Sequence, residues 1–191
     1  MASTPNELTH LDDELDRVLV GGREPAIVRV VDYDPRWPER FEAERARLLT
    51  ALGQLAPRIE HVGSTAVPGL AAKPIIDMLV ELDDPEHEER YLPLLEAAGF
   101  QLRVREPRHR MFRTPAKDAH IHIWPTGSTE AKDYLILRDW LRGNAEDRQL
   151  YEQTKRALAG RRWRDMNYYA EAKSPTIAQI ISRARGLSRP P

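Results

Sequence analysis

Apolar side chains recur every three or four residues in several stretches of the chain, which is the spacing of an amphipathic helix. Near the N-terminus this pattern stops at Gly21-Gly22 and predicts a short helical arm within residues 1–24. The last such stretch begins at Ser174, the expected N-cap, and carries Pro175 in its expected first turn. The helices predicted in this way span residues 11–20, 35–52, 84–98, 128–143, 144–160 and 174–186.

Short β-branched or alternating segments predict the strands. They span residues 27–31, 58–62, 74–82, 100–105, 111–114 and 119–124. Strands that precede most helices, with further helices between the early strands, favour an α/β (α+β) fold. We expect a mixed sheet with helices mainly on one face, a helical C-terminal third, and a substrate groove on the freer face. The predicted organisation is an arm at 1–24, one domain at 25–186 and a tail at 187–191.

Composition narrows the classes of function. The 191 residues include 29 Lys and Arg against 30 Asp and Glu, a formal charge of -1, so no broad cationic surface favours nucleic acid. The chain has no cysteine, which excludes disulfides, thiol chemistry and Cys-ligated zinc. The polar start and the lack of an 18-residue apolar run argue against a secretory signal and a membrane span, so we expect a cytoplasmic protein. The composition is compatible with a homodimer as well as with a monomer.

One segment carries residues suited to phosphate chemistry. Gly63-Ser64 follows a predicted strand, and Asp77 lies inside the next strand among apolar neighbours. Glycine lets the backbone approach a phosphate, a serine hydroxyl and turn amides can bind its oxygens, and a buried carboxylate needs a partner such as a metal ion. The alternative is an ordinary Gly-Ser turn with a structural aspartate.

The whole stretch 60–77, EHVGSTAVPGLAAKPIID, closely resembles the signature of the GrpB family, which is placed within the nucleotidyltransferase superfamily. The resemblance continues in segments 31–38, 120–122, 137–142 and 169–173. It implies a nucleotidyltransferase-like fold in which a Gly-Ser turn grips a triphosphate and strand acids bind Mg²⁺. Related domains occur fused to dephospho-CoA kinase, which implies a nucleotide or a CoA-like small molecule as partner.

The sequence departs from the superfamily pattern at the second acid. Two acids two residues apart on a strand share one face and one metal ion, yet Leu79 stands where the second acid is expected. Glu81 lies about 13 Å along the strand from Asp77, at roughly 3.3 Å per residue, which is too far to share an ion. A second metal ligand would have to be Glu60, His120 or His122.

His120 and His122 lie two residues apart on a predicted strand, so both imidazoles point to one face. Together with Asp77, or with His61 from another strand, they would suit Zn²⁺ in place of Mg²⁺. The alternative is a polar sheet face on which the histidines contact water and carboxylates.

Basic and aromatic residues complete the candidate site. Lys73 and Arg138 are the expected catalytic cations beside Asp77, because they would offset developing negative charge. Arg110 and Arg113 are further candidates for phosphate contacts. The expected substrate-binding residues are Gly63, Ser64, Thr65, His61, Arg142, Tyr169 and Lys173.

Three functions follow from these residues. The first is a nucleotide-dependent transferase with Mg²⁺ at Asp77. The second is a binding module of the same fold without turnover, which Leu79 favours. The third is a hydrolase with a metal ion held by histidine and aspartate.

Overall fold

The computed structural model describes residues 5–55 and 58–187. Predictions for residues 1–4 and 188–191, which include most of the expected tail, lie outside the described residues. The helices are α1 (Pro5–Val18), α2 (Trp37–Leu52), α3 (Leu92–Ala97), α4 (Thr129–Gly143), α5 (Ala145–Leu158) and α6 (Met166–Leu187). The strands are β1 (Ala26–Ile27), β2 (Arg58–Val62), β3 (Ile76–Leu82), β4 (Gln101–Glu106), β5 (His109–Arg113), β6 (Ala119–Pro125) and β7 (Arg162–Trp163).

Five of these strands form a mixed sheet in the order β2-β3-β6-β5-β4, which confirms the predicted fold class. Strands β3 and β6 are parallel, and the other neighbours are antiparallel. The register sets Asp77 opposite Val62 on one side and His120 on the other. Since paired residues share a face of a sheet, these side chains point the same way.

The face formed by the even-numbered residues of β3 carries the main core. Met78 and Val80 are fully buried there and pack with residues from α2 and α3. Trp37 and Phe41 from α2 and Leu95 from α3 complete this layer, because helical periodicity brings them to one side of their helices.

The opposite face, which carries Asp77, lies beneath the C-terminal helices. Leu79 is fully buried against Val62 and against Ala131 of α4. Farther along the sheet, Leu15 and Leu19 at the end of the arm pack on Val104 of β4. The N-terminal arm is therefore attached to the same face of the sheet. None of the described helices combines the length and the apolar composition needed to cross a membrane.

Three predicted elements differ from the structure. The segment 27–31 forms only a two-residue strand that pairs with β7, plus a single bridge from Val31 to Ala72, so it stays outside the main sheet. The helix expected at 84–98 begins only at Leu92, because Pro93 is tolerated in the first turn of a helix and disfavoured in its interior.

The last helix begins eight residues earlier than predicted, at Met166, and Pro175 lies in its interior. Ser174 does not cap this helix, because its hydroxyl donates to the Ala170 carbonyl one turn before it at 3.2 Å. Tyr168 and Tyr169 are buried in the first turn, so tertiary packing holds the segment that local signals left outside the helix.

Candidate functional site

The turn after β2 is shaped by Gly63. This glycine has φ of 68°, a conformation that L-residues with a side chain rarely adopt. A Cβ at this position would lie 2.6 Å from Oδ2 of Asp77, so the absence of a side chain also makes room for the carboxylate. Ser64 then opens a single 3₁₀ turn, Ser64–Ala66. The turn and Asp77 consequently lie in direct contact.

A cavity of about 640 Å³ lies between this turn, the sheet face with Asp77 and the helices α4 to α6. Its volume is in the range typical of small-molecule sites. Gly63, Ser64 and Lys73 line it at the turn, and Trp124 and Tyr134 contribute aromatic surface. The substrate space predicted for the freer face is therefore enclosed by the C-terminal helices.

Three potential metal ligands meet in this cavity. Oδ1 of Asp77 lies 3.4 Å from Nδ1 of His120 and 3.8 Å from Nε2 of His122. Each residue offers one donor atom, and the three atoms lie within 4.8 Å of one another. Among the described residues, these three form the one group of acidic and histidine side chains close enough to share a metal ion. Burial acts to raise the pKa of Asp77, but the neighbouring His120 and His122 outweigh it and bring the pKa below its usual range.

Glu60 and His61 do not join this group. Glu60 is on the same face of the sheet, but its carboxylate is bound by Arg138 at 2.8 Å and by Arg58. His61 pairs with Met78 and so points to the opposite face, where its ring stacks on Phe41 with centroids 4.7 Å apart. A site that combines His61 with the two strand histidines is not formed.

The hydroxyl of Thr65 is engaged within the protein. It donates to the carbonyl of Ile75 at 3.2 Å and lies 3.0 Å from Nε2 of His61. Burial lowers the pKa of His61 to about 4, so its ring is neutral near pH 7. Thr65 lines the cavity, and its contacts with His61 and Ile75 tie the turn to β2 and to the residue before β3.

Lys155 of α5 is the main feature of the site that sequence reasoning missed. Its side chain is 2% exposed, and its Nζ donates to the hydroxyl of Ser64 at 3.0 Å and to the carbonyl of Ala71. No carboxylate of the described residues forms an ion pair with it. Burial, followed by the charge of Lys173, lowers the pKa of Lys155 to about 7.

Two predicted lysines lie around the ring of Tyr169. Nζ of Lys73 is 5.2 Å from the ring centroid and Nζ of Lys173 is 5.0 Å from it. Burial and the neighbouring Lys173 lower the pKa of Lys73 to about 8. Both lysines line the cavity, and within the described part of the chain neither has a carboxylate partner. The cavity thus contains three lysine amines that form no ion pair with a carboxylate of the described residues.

The predicted arginines are already paired. Arg138 lines the cavity, but its guanidinium binds Glu60, Asp139 and the carbonyl of His61. Arg142 lies outside the cavity lining and binds the carbonyl of Ala66 with two N–H groups, at 3.0 and 2.8 Å. Both arginines hold the turn in place from the side of α4.

The remaining two arginines lie on β5. Arg110 is buried on the core face and pairs with Glu86 and Glu88. Arg113 lines the cavity and pairs with Glu24 at 2.7 Å. Their charges are therefore matched by acids of the same chain.

Comparisons with known proteins agree on one family. The family profile described as GrpB protein matches residues 27–183. A UPF0157 protein of Streptomyces coelicolor is 50% identical over 171 residues, which are 90% of this chain and 91% of that protein. The crystal structure of conserved protein GrpB from Enterococcus faecalis matches with a TM-score of 0.69 and 30% identity, covering 82% of this chain and 96% of that one. A dephospho-CoA kinase of Mycolicibacterium paratuberculosis is 29% identical over 188 residues, which cover 83% of this chain and 46% of that protein.

Proposed function

Since this chain belongs to the GrpB family, we propose that it binds a nucleotide or another phosphate-bearing small molecule in the cavity and transfers a nucleotidyl or phosphoryl group from it. One observation carries the proposal: Lys155 binds the Gly-Ser turn at Ser64, Lys73 and Lys173 flank Tyr169 in the same cavity, and none of the three forms an ion pair with a carboxylate of the described residues. Buried cations without a counter-ion are unfavourable unless an anion binds beside them.

The turn supplies the neutral part of the phosphate site. The conformation of Gly63 lets the backbone approach closely, and Ser64 presents a hydroxyl that Lys155 already contacts at 3.0 Å. A phosphate bound here would accept charge-assisted hydrogen bonds from Lys155 and Lys73. These contacts would hold the reacting group beside Asp77, because Gly63 touches that carboxylate.

Asp77 is the expected ligand for a divalent cation, which would neutralise charge on the transferred group and on its leaving group. The nucleotidyltransferase resemblance and the similarity to a protein named dephospho-CoA kinase favour a nucleotide or CoA as donor. The acceptor enters the same cavity, which is limited to about 640 Å³, so we propose a small molecule for that role too.

A second candidate is hydrolysis of the bound phosphate ester with water as acceptor. The observation that favours it is the cluster of Asp77, His120 and His122, since histidine and aspartate together are common ligands of hydrolytic metal centres. Products separate the two functions: transfer yields a modified acceptor, whereas hydrolysis in ¹⁸O-water yields a labelled phosphate.

Calorimetric titration of ATP, GTP and CoA, each with and without Mg²⁺, tests the binding site. Lys155→Met should weaken binding by about 10- to 100-fold, since a hydrogen bond to a charged group contributes roughly 1.5–3 kcal/mol. Lys132→Met is the matched control, because Lys132 is exposed on α4 and outside the cavity lining. Mass spectrometry of the same mixtures, with Asp77→Asn alongside, detects transfer.

Binding that Lys155→Met weakens and Lys132→Met leaves unchanged would support the site. Failure of all three ligands to bind, or equal binding by both lysine variants, would overturn it. If a ligand binds but no product forms in the presence of candidate acceptors, transfer is refuted and the function is that of a binding module without turnover.

A further inference from the structure

The donor atoms around Asp77 are one carboxylate oxygen and two imidazole nitrogens. Mg²⁺ prefers oxygen ligands and an octahedral arrangement that retains water, whereas imidazole suits Zn²⁺ and other transition metals. Leu79, which occupies the position of the expected second acid, is fully buried among apolar residues. The residues present therefore do not fit the Mg²⁺ that the superfamily resemblance implies.

The spacing of the donors points the same way. In a tetrahedral site with metal–ligand bonds of about 2.0–2.2 Å, neighbouring ligand atoms lie roughly 3.3–3.5 Å apart. The distances from Oδ1 of Asp77 are 3.4 Å to Nδ1 of His120 and 3.8 Å to Nε2 of His122. The first distance lies within this range and the second is a few tenths of an ångström longer.

A chain of polar groups lies behind His122. Its Nδ1 is 3.3 Å from Nε2 of His109, and Nδ1 of His109 is 2.7 Å from Oε2 of Glu106. The two imidazole planes differ by only 5°, and their centroids are 5.6 Å apart, so the rings meet edge to edge. His109 is held in this plane by stacking on Trp124, with centroids 4.3 Å apart. This geometry suits a hydrogen bond between the rings.

When both imidazole rings are neutral, one placement of protons satisfies the whole chain. The carboxylate of Glu106 can only accept, so His109 gives it the Nδ1 proton and keeps a lone pair on Nε2. That lone pair accepts the Nδ1 proton of His122, which leaves Nε2 of His122 free to bind a metal ion. The hydroxyl of Tyr134, 3.3 Å from the same Nδ1, can share this proton as a second acceptor.

We infer that Asp77, His120 and His122 bind one divalent transition-metal ion of the Zn²⁺ type, and that Glu106 and His109 are positioning residues that keep Nε2 of His122 available to it. Only the role of the ion in this inference rests on the proposed function. Its test uses metal alone, without any phosphate ligand, so the two proposals fail separately.

The experiment starts from the untagged full chain after removal of metal with a chelator. Zn²⁺, Co²⁺ and Mg²⁺ are titrated separately, with a competing chelator for the tight ions, and Co²⁺ binding is also followed by its visible absorption. Histidine ¹⁵N spectra of the metal-free protein report the tautomer of His122. The variants are His120→Ala, His109→Phe, which retains an aromatic ring against Trp124, and Glu106→Gln.

We expect one Zn²⁺ or Co²⁺ per chain, bound at least 100-fold more tightly than Mg²⁺, and loss of binding in His120→Ala. Partners of ligating histidines typically change metal affinity by about 10- to 100-fold. His109→Phe should show a loss in that range and Glu106→Gln a smaller loss in the same direction. In the wild type the His122 signal should be that of the Nδ1-protonated ring.

His87→Phe is the matched control, because Nδ1 of His87 also pairs with a carboxylate, Asp84 at 2.8 Å, but on the exposed surface. It should bind Zn²⁺ like the wild type. Equal affinity for Mg²⁺ and Zn²⁺, unchanged Zn²⁺ affinity in both positioning variants, or an Nε2-protonated His122 would each overturn the inference. Urea unfolding midpoints identify any variant whose loss of metal reflects unfolding, and the other variant then decides.

Discussion

Lys155 provides a test of the site that needs no ligand. Burial lowers its pKa to about 7, whereas an unfolded lysine titrates near 10.4. Below pH 7 both states carry the proton, and the folded protein bears the full penalty of a buried charge. Between about pH 7 and 10 the unfolded chain binds one more proton than the folded one, so the free energy of unfolding rises with pH.

The magnitude follows from these two pKa values. A difference of one bound proton changes the free energy of unfolding by about 1.4 kcal/mol per pH unit. Between pH 7 and 9 the free energy of unfolding therefore rises by roughly 2 kcal/mol, because the slope is still below its full value close to the folded pKa. Lys155→Met removes this contribution. The variant also leaves the carbonyl of Ala71 and the hydroxyl of Ser64 without their donor. That loss is about 1–3 kcal/mol and does not change with pH.

Urea unfolding of wild type and Lys155→Met from pH 6 to 9.5 measures the difference. The stability of the variant relative to the wild type should be greater at pH 7 than at pH 9 by about 2 kcal/mol. Lys132→Met, on the exposed surface, should follow the wild type at every pH. Parallel curves for wild type and Lys155→Met would refute the argument, because they would mean that Lys155 folds with an ordinary pKa.

Three further changes test other parts of the structure. Gly63→Ala should lower the free energy of unfolding by about 1–3 kcal/mol through backbone strain and should weaken metal binding, since its Cβ would collide with Asp77; urea and Zn²⁺ titrations measure both. Arg103→Met should lower the free energy of unfolding by about 3–5 kcal/mol, because it leaves Asp165 buried without its partner at 2.9 Å; thermal unfolding that matches the wild type would contradict this. His122→Glu should shift metal preference from Zn²⁺ towards Mg²⁺, because it replaces a nitrogen donor by oxygen; an unchanged ratio of the two affinities would contradict it.

The sequence was sufficient for those parts of the site that depend on local periodicity. The alternation of side chains along a strand placed His120 and His122 on one face, as the structure shows. The Gly63-Ser64 turn and the strand with Asp77 are likewise where the pattern predicted them. These features needed no knowledge of how the strands pair.

Alternation along one strand does not predict which residues of two neighbouring strands share a face of the sheet. Whether His61 or Val62 shares a face with Asp77 depends on the register between β2 and β3, which is set by the conformation of the connection from 63 to 75. A shift of one residue would have moved His61 into the cavity. The observed register pairs Val62 with Asp77, so His61 belongs to the core face.

Lys155 was missed because contact with Ser64 joins residues 91 positions apart. In the charged sequence AEDRQLYEQTKRAL it is one basic residue among several on an amphipathic helix. Only the packing of α5 over the turn distinguishes it from its exposed neighbour Arg156. A lysine one helical turn after the buried Tyr151 was the available signal, since residues four apart share a helix face.

The structure also accounts for the missing second acid at position 79 of β3. Leu79 lies directly opposite His122, just as Asp77 lies opposite His120, so the level of the sheet that lacks the second acid gains an imidazole from the neighbouring strand. Leu79 in turn packs against Val62 and against Ala131 of α4, where a carboxylate would be buried beside apolar side chains. Nitrogen donors therefore replace the expected second oxygen donor, and His122 is contacted at Nδ1 by His109 of β5, the next strand in the sheet, and by Tyr134 of α4. His109 at the start of β5 and Glu106 at the end of β4 form the hydrogen-bonded chain behind His122, which is why we expect them to affect metal affinity more than any residue of β3 except Asp77.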